Sequence, residues 1–307
     1  MKEENTQKKD AAPVVWAVGG GKGGVGKSVI STLLAFWLVR MGKRTILVDM
    51  DLGGANLHTL LGIKSPERTL NDFVTRRYNS LEDICISTPE KKLRLISGAS
   101  EILSLSNPHF SQKVKIIKNI FKLDADYVIL DLGAGTSFNV LDFFLFAHKR
   151  IMVVTPQPIS IQNAYGFVRN AVYRRLSQIC NQKPSLQKLV KTAMDPKNDL
   201  KVRTIKELFE VIQESGDIET AKILKNEIAR IKPAVITNMV KDSRDKNAGR
   251  IVQLVAEKYL MLHPVDYGSV AYDKQIYSMV SGMVPLTQLN QSSDALAGTY
   301  EIATRLL

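Results

Sequence analysis

The chain has 307 residues, of which 45% are hydrophobic and 23% are charged. These proportions are typical of a globular protein and exclude a disordered or fibrous chain. The formal net charge of +12 favours contact with an anionic partner, such as a nucleotide, a nucleic acid or a lipid surface. The two cysteines, Cys85 and Cys180, form no CxxC pair, which argues against a zinc site or an iron–sulfur cluster held by one chain.

Short apolar runs alternate with helical patterns along most of the chain. Residues 14–18 form a β-branched run that predicts a buried strand, and residues 26–41 predict a helix that Gly42 ends. Similar runs predict further strands at 45–48, 93–96, 127–130, 151–154 and 234–237. This alternation predicts an α/β fold with a mostly parallel twisted sheet and helices on both faces.

Residues 174–232 interrupt this alternation. They contain no apolar run typical of a strand, and their apolar residues are spaced for two helices separated by a turn at 214–217. We expect a helical insertion at about 174–232 within one domain of residues 13–307, preceded by a flexible lead of residues 1–12. The insertion is predicted to be a solvated helical surface, with a partner-binding or anion-binding surface as the alternative.

A phosphate-binding motif lies between the first predicted strand and the first predicted helix. Residues 21–28 read GKGGVGKS and match G-x-x-x-x-G-K-[ST] in full. In this motif backbone N–H groups converge on phosphate oxygens, Lys27 reaches the β- and γ-phosphates, and the Ser28 hydroxyl can hold Mg²⁺. We therefore predict that a nucleoside triphosphate binds here, through Gly21, Lys22, Gly23, Gly24, Val25, Gly26, Lys27 and Ser28.

Carboxylates follow two of the predicted strands. Asp49 and Asp51 come after the strand at 45–48, where a parallel sheet binds its ligands and where a carboxylate can position water for in-line attack. Asp131 ends the run at 127–130 and would act on the Mg²⁺ shell. The following Gly133 suits a loop that approaches a phosphate. Strand-end capping or turn formation remains the alternative for Asp49 and Asp51.

Residues 20–28, reading GGKGGVGKS, resemble the deviant Walker A motif of the MinD/ParA ATPases because of the additional Lys22. The resemblance implies a P-loop NTPase fold, ATP and Mg²⁺ as cofactors, and an ATP-dependent homodimer in which Lys22 reaches the phosphates of the other subunit. The segment from Asp49 to Asn56 resembles the family's switch I. It implies that Asp51 acts on the attacking water, that Asn56 lies near the γ-phosphate, and that Ser28, Asp49 and Asp131 serve the metal. Catalysis is assigned to Lys22, Lys27 and Asp51.

Two later segments resemble the family's base-binding elements. Residues 235–238 read VITN, which implies that Asn238 contacts adenine. Residues 263–266 read HPVD and resemble the following loop, which implies that Pro264 and Asp266 lie near the base. The residues from 154 to 165 resemble the MinD and FlhG branch, with FlhG-like proteins the nearest match. The last predicted helix contains one basic residue, Arg305, and is expected to pack on the core rather than to bind a membrane.

The resemblance implies a slow, partner-stimulated ATPase switch that positions flagella, the division site or other machinery, together with an unidentified activator or cargo protein. A ParA-like DNA-partition ATPase is the alternative, since the net charge permits binding to nucleic acid. An iron–sulfur carrier and a biosynthetic ligase of the same fold are further alternatives. Residues 1–12 lack the apolar region of a signal peptide, and no apolar run reaches the roughly 18 residues of a membrane span. We expect a cytoplasmic location, with peripheral contact at the inner face of the cell membrane as an alternative.

Overall fold

The computed structural model describes residues 11–51, 54, 56–98, 110–195 and 197–307. The predicted lead therefore lies outside the described residues except for Ala11 and Ala12, as do Leu52, Gly53 and Ala55 of the predicted switch I. The strands are β1 Val14–Gly19, β2 Thr45–Met50, β3 Ile86–Ser87, β4 Leu93–Ile96, β5 Tyr127–Leu132, β6 Lys149–Val154, β7 Pro233–Val240 and β8 Val265–Ala271.

These strands form one sheet in the order β3-β4-β2-β5-β1-β6-β7-β8. β2 is parallel to both β4 and β5, and β7 is parallel to both β6 and β8, whereas β3 runs antiparallel to β4. The prediction of an α/β fold with a mostly parallel sheet is thus confirmed. Each of the predicted strands is present, and β3 and β8 are additional.

The helices are α1 Lys27–Arg40, α2 Leu57–Leu60, α3 Leu70–Val74, α4 Phe110–Ile120, α5 Phe138–Phe146, α6 Pro158–Ile179, α7 Pro184–Met194, α8 Ile205–Glu214, α9 Ile218–Ala229, α10 Ala248–Leu260, α11 Lys274–Ser281 and α12 Asp294–Leu306. Short 3₁₀ turns occur at Glu82–Ile84, Cys180–Gln182, Asp245–Asn247 and Leu286–Gln288. No helix among the described residues is both long enough and apolar enough to cross a membrane.

The chain divides into two compact units, which are described separately. The first contains the described residues of Met1–Trp16, Ser28–Gly133 and Lys274–Asn290. Its strands β2, β4 and β5 are rich in Leu, Ile and Val with almost no exposed surface, because both faces of a central parallel strand are covered. The predicted helix at 26–41 is α1, which is buried nearly all round rather than on one face, and Gly42 follows it with a φ of 86°.

The second unit contains Ala17–Lys27, Ala134–Asp273 and Gln291–Leu307. Within it the described residues of the predicted insertion, 174–195 and 197–232, form helices and no strand, and the predicted turn separates α8 from α9. The insertion begins later than predicted, because the apolar face of α6 continues through Ala171, Val172 and Leu176 to Ile179. Helix α12 buries Leu296, Ile302 and Leu306, so the expectation that the last helix packs on the core is confirmed.

Candidate nucleotide-binding site

The phosphate-binding motif forms a loop between Gly19, the last residue of β1, and Lys27, the first residue of α1. Its path depends on two glycines in the left-handed region, Gly24 with a φ of 80° and Gly26 with a φ of 86°. An L-residue is strained in this region, whereas glycine is not. The glycine spacing of the motif therefore has a direct conformational cause. The loop opens α1, whose first N–H groups have no partner within the helix.

Position 21 requires glycine because the loop passes very close to helix α6. A Cβ atom built on Gly21 would lie 2.0 Å from the carbonyl oxygen and 2.4 Å from the carbonyl carbon of Asn163. Real Cβ atoms do not approach backbone this closely, so the loop can pass α6 only with glycine at this position. The space around Gly23 is larger, since the nearest atom to a Cβ built there is the Cβ of Ala134, at 3.9 Å. Gly21 thus serves packing, in addition to the predicted contact with phosphate.

The two lysines of the motif differ in exposure. Lys27 is buried, with 8% of its surface exposed, at the start of α1. Lys22 is exposed on the loop. A buried lysine at a helix N-terminus can serve a phosphate bound by the same chain, whereas an exposed lysine can reach outward. The separate roles that the motif and the family resemblance imply for the two lysines stay predictions.

Asn238 lies on β7 and contacts the phosphate loop directly. Its side-chain Nδ2 donates a hydrogen bond of 2.9 Å to the Val25 carbonyl, and 5% of the residue is exposed. A Cβ atom built on Gly26 would lie 2.2 Å from the same Nδ2. The asparagine therefore holds the loop in place, a role that the sequence did not reveal because 213 positions separate the two partners.

Pro264 and Asp266 do not lie with Asn238. The predicted loop at 263–266 is wrong in its second half, because β8 begins at Val265. Asp266 pairs with Val235, three positions before Asn238 on β7, and its carboxylate packs against Gly249 of α10, where a Cβ would lie 2.7 Å from Cγ. At about 3.3 Å per residue, Asp266 is displaced by roughly 10 Å along the strand from the level of Asn238.

The end of β8, rather than its beginning, lies near the level of Asn238 along the sheet. Ala271 pairs with Val240, and the N–H of Tyr272 donates to the Val240 carbonyl at 2.8 Å. Asp273 follows, and its Oδ2 accepts a hydrogen bond of 2.6 Å from the Ser293 hydroxyl. Sequence reasoning missed this segment because it did not recognise β8. The available signal was a second short motif ending in Asp, seven residues after Asp266.

In the first unit, Asp49 and Asp131 lie side by side on neighbouring strands. They are register partners on β2 and β5, and both are buried, with 1% and 2% of their surface exposed. The Asp49 carboxylate accepts from the N–H of Asp51 at 3.0 Å and from the N–H of Leu57 at 3.1 Å. Burial, and then the charge of Asp131, raise the pKa of Asp49 to about 8. Both oxygens of Asp49 thus hold the backbone around the predicted switch I.

Asp51 and Gly133 also lie together. A Cβ atom on Gly133 would stand 3.3 Å from Asp51 Oδ1, so the glycine leaves room beside this carboxylate. Asp51 is half-buried, and its action on the attacking water stays a prediction. Asn56 is exposed, and its Nδ2 donates to the Gly54 carbonyl at 2.8 Å. The structure brings Asp51 and Gly133 together, and Asn56 lies five positions further along the same segment.

Magnesium was predicted at Ser28, Asp49 and Asp131. The oxygen donors present suit a hard cation that keeps several waters and is shared with phosphates. Asp131 Oδ1 accepts a hydrogen bond of 2.9 Å from the Ser31 hydroxyl, which orients the carboxylate. Two buried carboxylates side by side repel each other, and a divalent cation relieves that repulsion. The donor set therefore fits Mg²⁺, with Asp49 already committed to two backbone N–H groups.

Comparison with known proteins identifies the family of the chain. A family profile described as ParA, NUBPL iron-transfer P-loop NTPase, matches residues 12–174. The antiactivator FleN of Pseudomonas aeruginosa is 36% identical over 157 residues, which is 50% of this chain and 55% of that protein. The flagellum site-determining protein YlxH of Helicobacter pylori is 30% identical over 163 residues, which is 50% of this chain and 52% of that protein.

Among solved structures, the chain resembles the septum site-determining protein MinD of Pyrococcus horikoshii, which was solved with Mg-ADP. The TM-score is 0.65 at 18% identity, and the match covers 96% of each chain, so it establishes the P-loop NTPase fold. The aligned region spans about half the length of the curated relatives. The family profile covers more than half of this sequence, from the phosphate loop through Asp131 and into α6. The chain belongs to the ParA/MinD family of P-loop NTPases.

Proposed function

We propose that this protein is an ATPase switch that binds Mg-ATP, dimerises, hydrolyses ATP slowly and thereby positions other cellular machinery. The observation that carries the proposal is the phosphate loop, in which one lysine is buried at the start of α1 and a second is exposed. An ordinary phosphate loop requires only the first of these lysines. Membership of the ParA/MinD family supports the same assignment.

In this proposal the N–H groups from Gly21 to Lys27 and the ammonium of Lys27 neutralise the phosphate oxygens. Ser28 and Asp131 would hold Mg²⁺, which would supply neutralisation of the phosphate charge. The Asp51 carboxylate orients the attacking water and accepts its proton. Because Asp49 fixes the N–H of Asp51, it positions that residue rather than touching the water. Few additional charges are available, so turnover is slow until a partner acts.

The dimer provides the test of this scheme. Asp51→Ala keeps the phosphate loop but removes the group that activates water, so it should bind ATP and accumulate as a dimer. Lys22→Ala should bind ATP and remain monomeric, because only the exposed lysine serves the other subunit. Size-exclusion chromatography with light scattering, with and without Mg-ATP, measures both. A monomeric Asp51→Ala protein, or a dimeric Lys22→Ala protein, would contradict the proposal.

The positioned structure is proposed from the relatives. The names of YlxH and MinD give the flagellum and the septum as the sites that those proteins determine. We propose a similar role at one of these two sites, carried out in the cytoplasm with a protein activator or cargo. Peripheral contact at the inner membrane face is the alternative. A pull-down with the Asp51→Ala protein in ATP, against the Lys22→Ala protein as control, identifies the partner. Recovery of the same proteins by both variants would argue against an ATP-dimer partner.

Two other functions have specific support. The net charge of +12 is compatible with a DNA-partition ATPase, which would retain non-specific DNA only with ATP and lose it steeply as salt rises. The description of the matching family profile includes iron transfer, which favours an iron carrier. A dimer could offer Cys85 and Cys180 from each copy. Iron and sulfide analysis of the purified protein tests this, and stoichiometric iron would replace the switch proposal.

A further inference from the structure

A groove of about 790 Å³ lies in the second unit, beside the phosphate loop. Helix α6 forms one wall, from Ile159 to Asn170. Gly21 lies at one end, and Val202 and Arg203, which precede α8, belong to the insertion. Its wall along α6 covers 11 helical steps, or roughly 16 Å at 1.5 Å per residue. No role in nucleotide binding has been assigned to α6 or to the insertion, so the groove calls for a separate explanation.

The charge of the groove has one sign. Its lining contains Arg169 and Arg203 and no Asp or Glu. Neither guanidinium forms an ion pair with a carboxylate among the described residues, whereas Arg174 pairs with Asp142 at 2.7 Å and Arg175 with Glu227 at 2.5 Å on the same helix. Two arginines therefore line one groove without a carboxylate in ion-pair contact among the described residues, Glu207 being the carboxylate near Arg203, and this arrangement attracts anionic groups.

The side chain of Arg169 and the backbone of Arg203 are held in position by the protein. Arg169 donates from Nη2 to the Met194 carbonyl at 2.7 Å, and its guanidinium carbon lies 5.0 Å from the centre of the Tyr173 ring. The backbone N–H of Arg203 donates to Glu207 Oε2 at 2.6 Å, as part of the cap of α8. The Glu207 carboxylate accepts from the backbone N–H groups of Arg203 and Thr204, and these bonds, together with the nearby Arg203 charge, lower the pKa of Glu207. The Arg203 side chain is exposed. A guanidinium that is already held in place, as that of Arg169 is, loses little freedom on binding.

The rest of the lining suits a peptide. The amide side chains of Gln162, Asn163 and Asn170 can each donate to a backbone carbonyl and accept from a backbone N–H. The exposed Ile159 side chain provides an apolar contact at the phosphate-loop end. At about 3.3 Å per residue, the wall of roughly 16 Å matches an extended segment of about five residues. A single phosphate would fill only a small part of this length.

We propose that the groove docks an acidic, extended segment of a protein partner, with carboxylates on Arg169 and Arg203. This inference rests on the proposed function, since it gives the partner of the ATPase switch a place on the molecule. A segment seated here would contact α6 beside Asn163, the residue whose backbone abuts Gly21 of the phosphate loop. The partner would therefore act on the phosphate loop through helix α6.

The test uses the full chain and a display library of random nonapeptides, without nucleotide. Selection on the wild-type protein should enrich peptides of net negative charge. One enriched peptide, labelled with fluorescein, is then titrated by anisotropy against Arg203→Gln and against Lys206→Gln. Lys206 is exposed on α8 and outside the groove lining, so the second variant removes an equal charge. The dissociation constant should rise about tenfold or more for Arg203→Gln, the effect of one charge-assisted hydrogen bond, and less than twofold for Lys206→Gln.

Three results would overturn the proposal. Enriched peptides without net negative charge, or an equal effect of both variants, would remove the role of the arginines. Complete displacement of the peptide by millimolar inorganic phosphate, with the same dependence on Arg203, would assign the groove to small anions. Loss of self-association in Arg203→Gln, with no peptide enriched, would assign it to a second copy. Calorimetry with Mg-ATP on the same proteins reports the proposed function separately, because neither variant alters the phosphate loop.

Discussion

Gly21→Ala tests the packing of the phosphate loop against helix α6. The added methyl group would lie 2.0 Å from the Asn163 carbonyl oxygen, and a carbon–oxygen contact needs about 3.3 Å. The loop or the helix must therefore shift by roughly 1.3 Å. The obstructing atoms belong to helix backbone, which cannot rotate away as a flexible side chain can. Overpacking of this kind costs about 1–3 kcal/mol in the free energy of unfolding, and we expect the upper end of that range.

Two other glycines of the same loop provide matched controls. Gly23→Ala adds the same methyl group where the nearest atom is the Ala134 Cβ at 3.9 Å, so the free energy of unfolding should change by about 0.5 kcal/mol or less. Gly24→Ala meets no atom within 4 Å but places alanine at a φ of 80°, which costs about 1–2 kcal/mol. Gly21→Ala therefore reports steric overlap, Gly24→Ala reports backbone strain, and Gly23→Ala is the control without either effect.

Urea unfolding followed by circular dichroism gives the stability of each variant, and calorimetry with Mg-ATP gives its affinity. A displacement of about 1 Å in catalytic geometry can cost 10²-fold, so ATP turnover by Gly21→Ala should fall by about that factor. Gly23→Ala should retain the wild-type stability. Equal stability of Gly21→Ala and Gly23→Ala would refute the conclusion that the loop packs on Asn163.

Asn238→Ala should weaken the binding of both ATP and inorganic triphosphate by about tenfold, because the Val25 carbonyl loses its hydrogen-bond donor. Calorimetry with both ligands tests this. An unchanged affinity for triphosphate would indicate that Asn238 contacts only the base. Ser31→Ala should lower the free energy of unfolding by about 1–3 kcal/mol, because the buried Asp131 carboxylate loses a hydrogen bond. Urea denaturation measures this change in stability. A variant as stable as the wild type would contradict a stabilising role of the Ser31–Asp131 hydrogen bond. Burial raises the pKa of Cys85 to about 12 from an ordinary value of 9.0. At pH 8 its thiolate fraction, and hence its rate of alkylation by iodoacetamide, should therefore be about a thousandfold lower in the folded protein than after unfolding. Rapid labelling of the folded protein would argue against this burial.

The sequence predicted the central strands because burial on both faces requires continuous apolar residues. It missed β3 and β8, which are the two edges of the sheet. An edge strand has one open side, and β8 accordingly buries only Val270 among its seven residues. The missed edge has a functional consequence. The resemblance places the base-binding loop at Pro264 and Asp266, which lie at the beginning of β8, whereas Ala271 to Asp273 lie at its end.

The residues of the phosphate loop could be predicted because their spacing is a local property of the backbone. Gly24 and Gly26 adopt left-handed conformations that the motif requires, and Lys27 follows at the first position of α1. The contacts that hold the loop could not be predicted in this way. Asn163 and Asn238 are distant in sequence, and either could have been an ordinary helix or strand-end residue. Only the fold determines which asparagine approaches the loop.

Helix α6 links these observations within the second unit. At Asn163 its backbone abuts the phosphate loop, and at Arg169 it lines the groove. Further along, the Tyr173 hydroxyl donates to the Ala193 carbonyl of α7 at 3.1 Å, and Arg175 pairs with Glu227 of α9. The insertion buries apolar residues on each of its helices, so it is a packed part of this unit and not only a solvated surface. A helix moves most readily as a rigid element, and a partner that shifts α6 at the groove would therefore move the backbone that contacts Gly21.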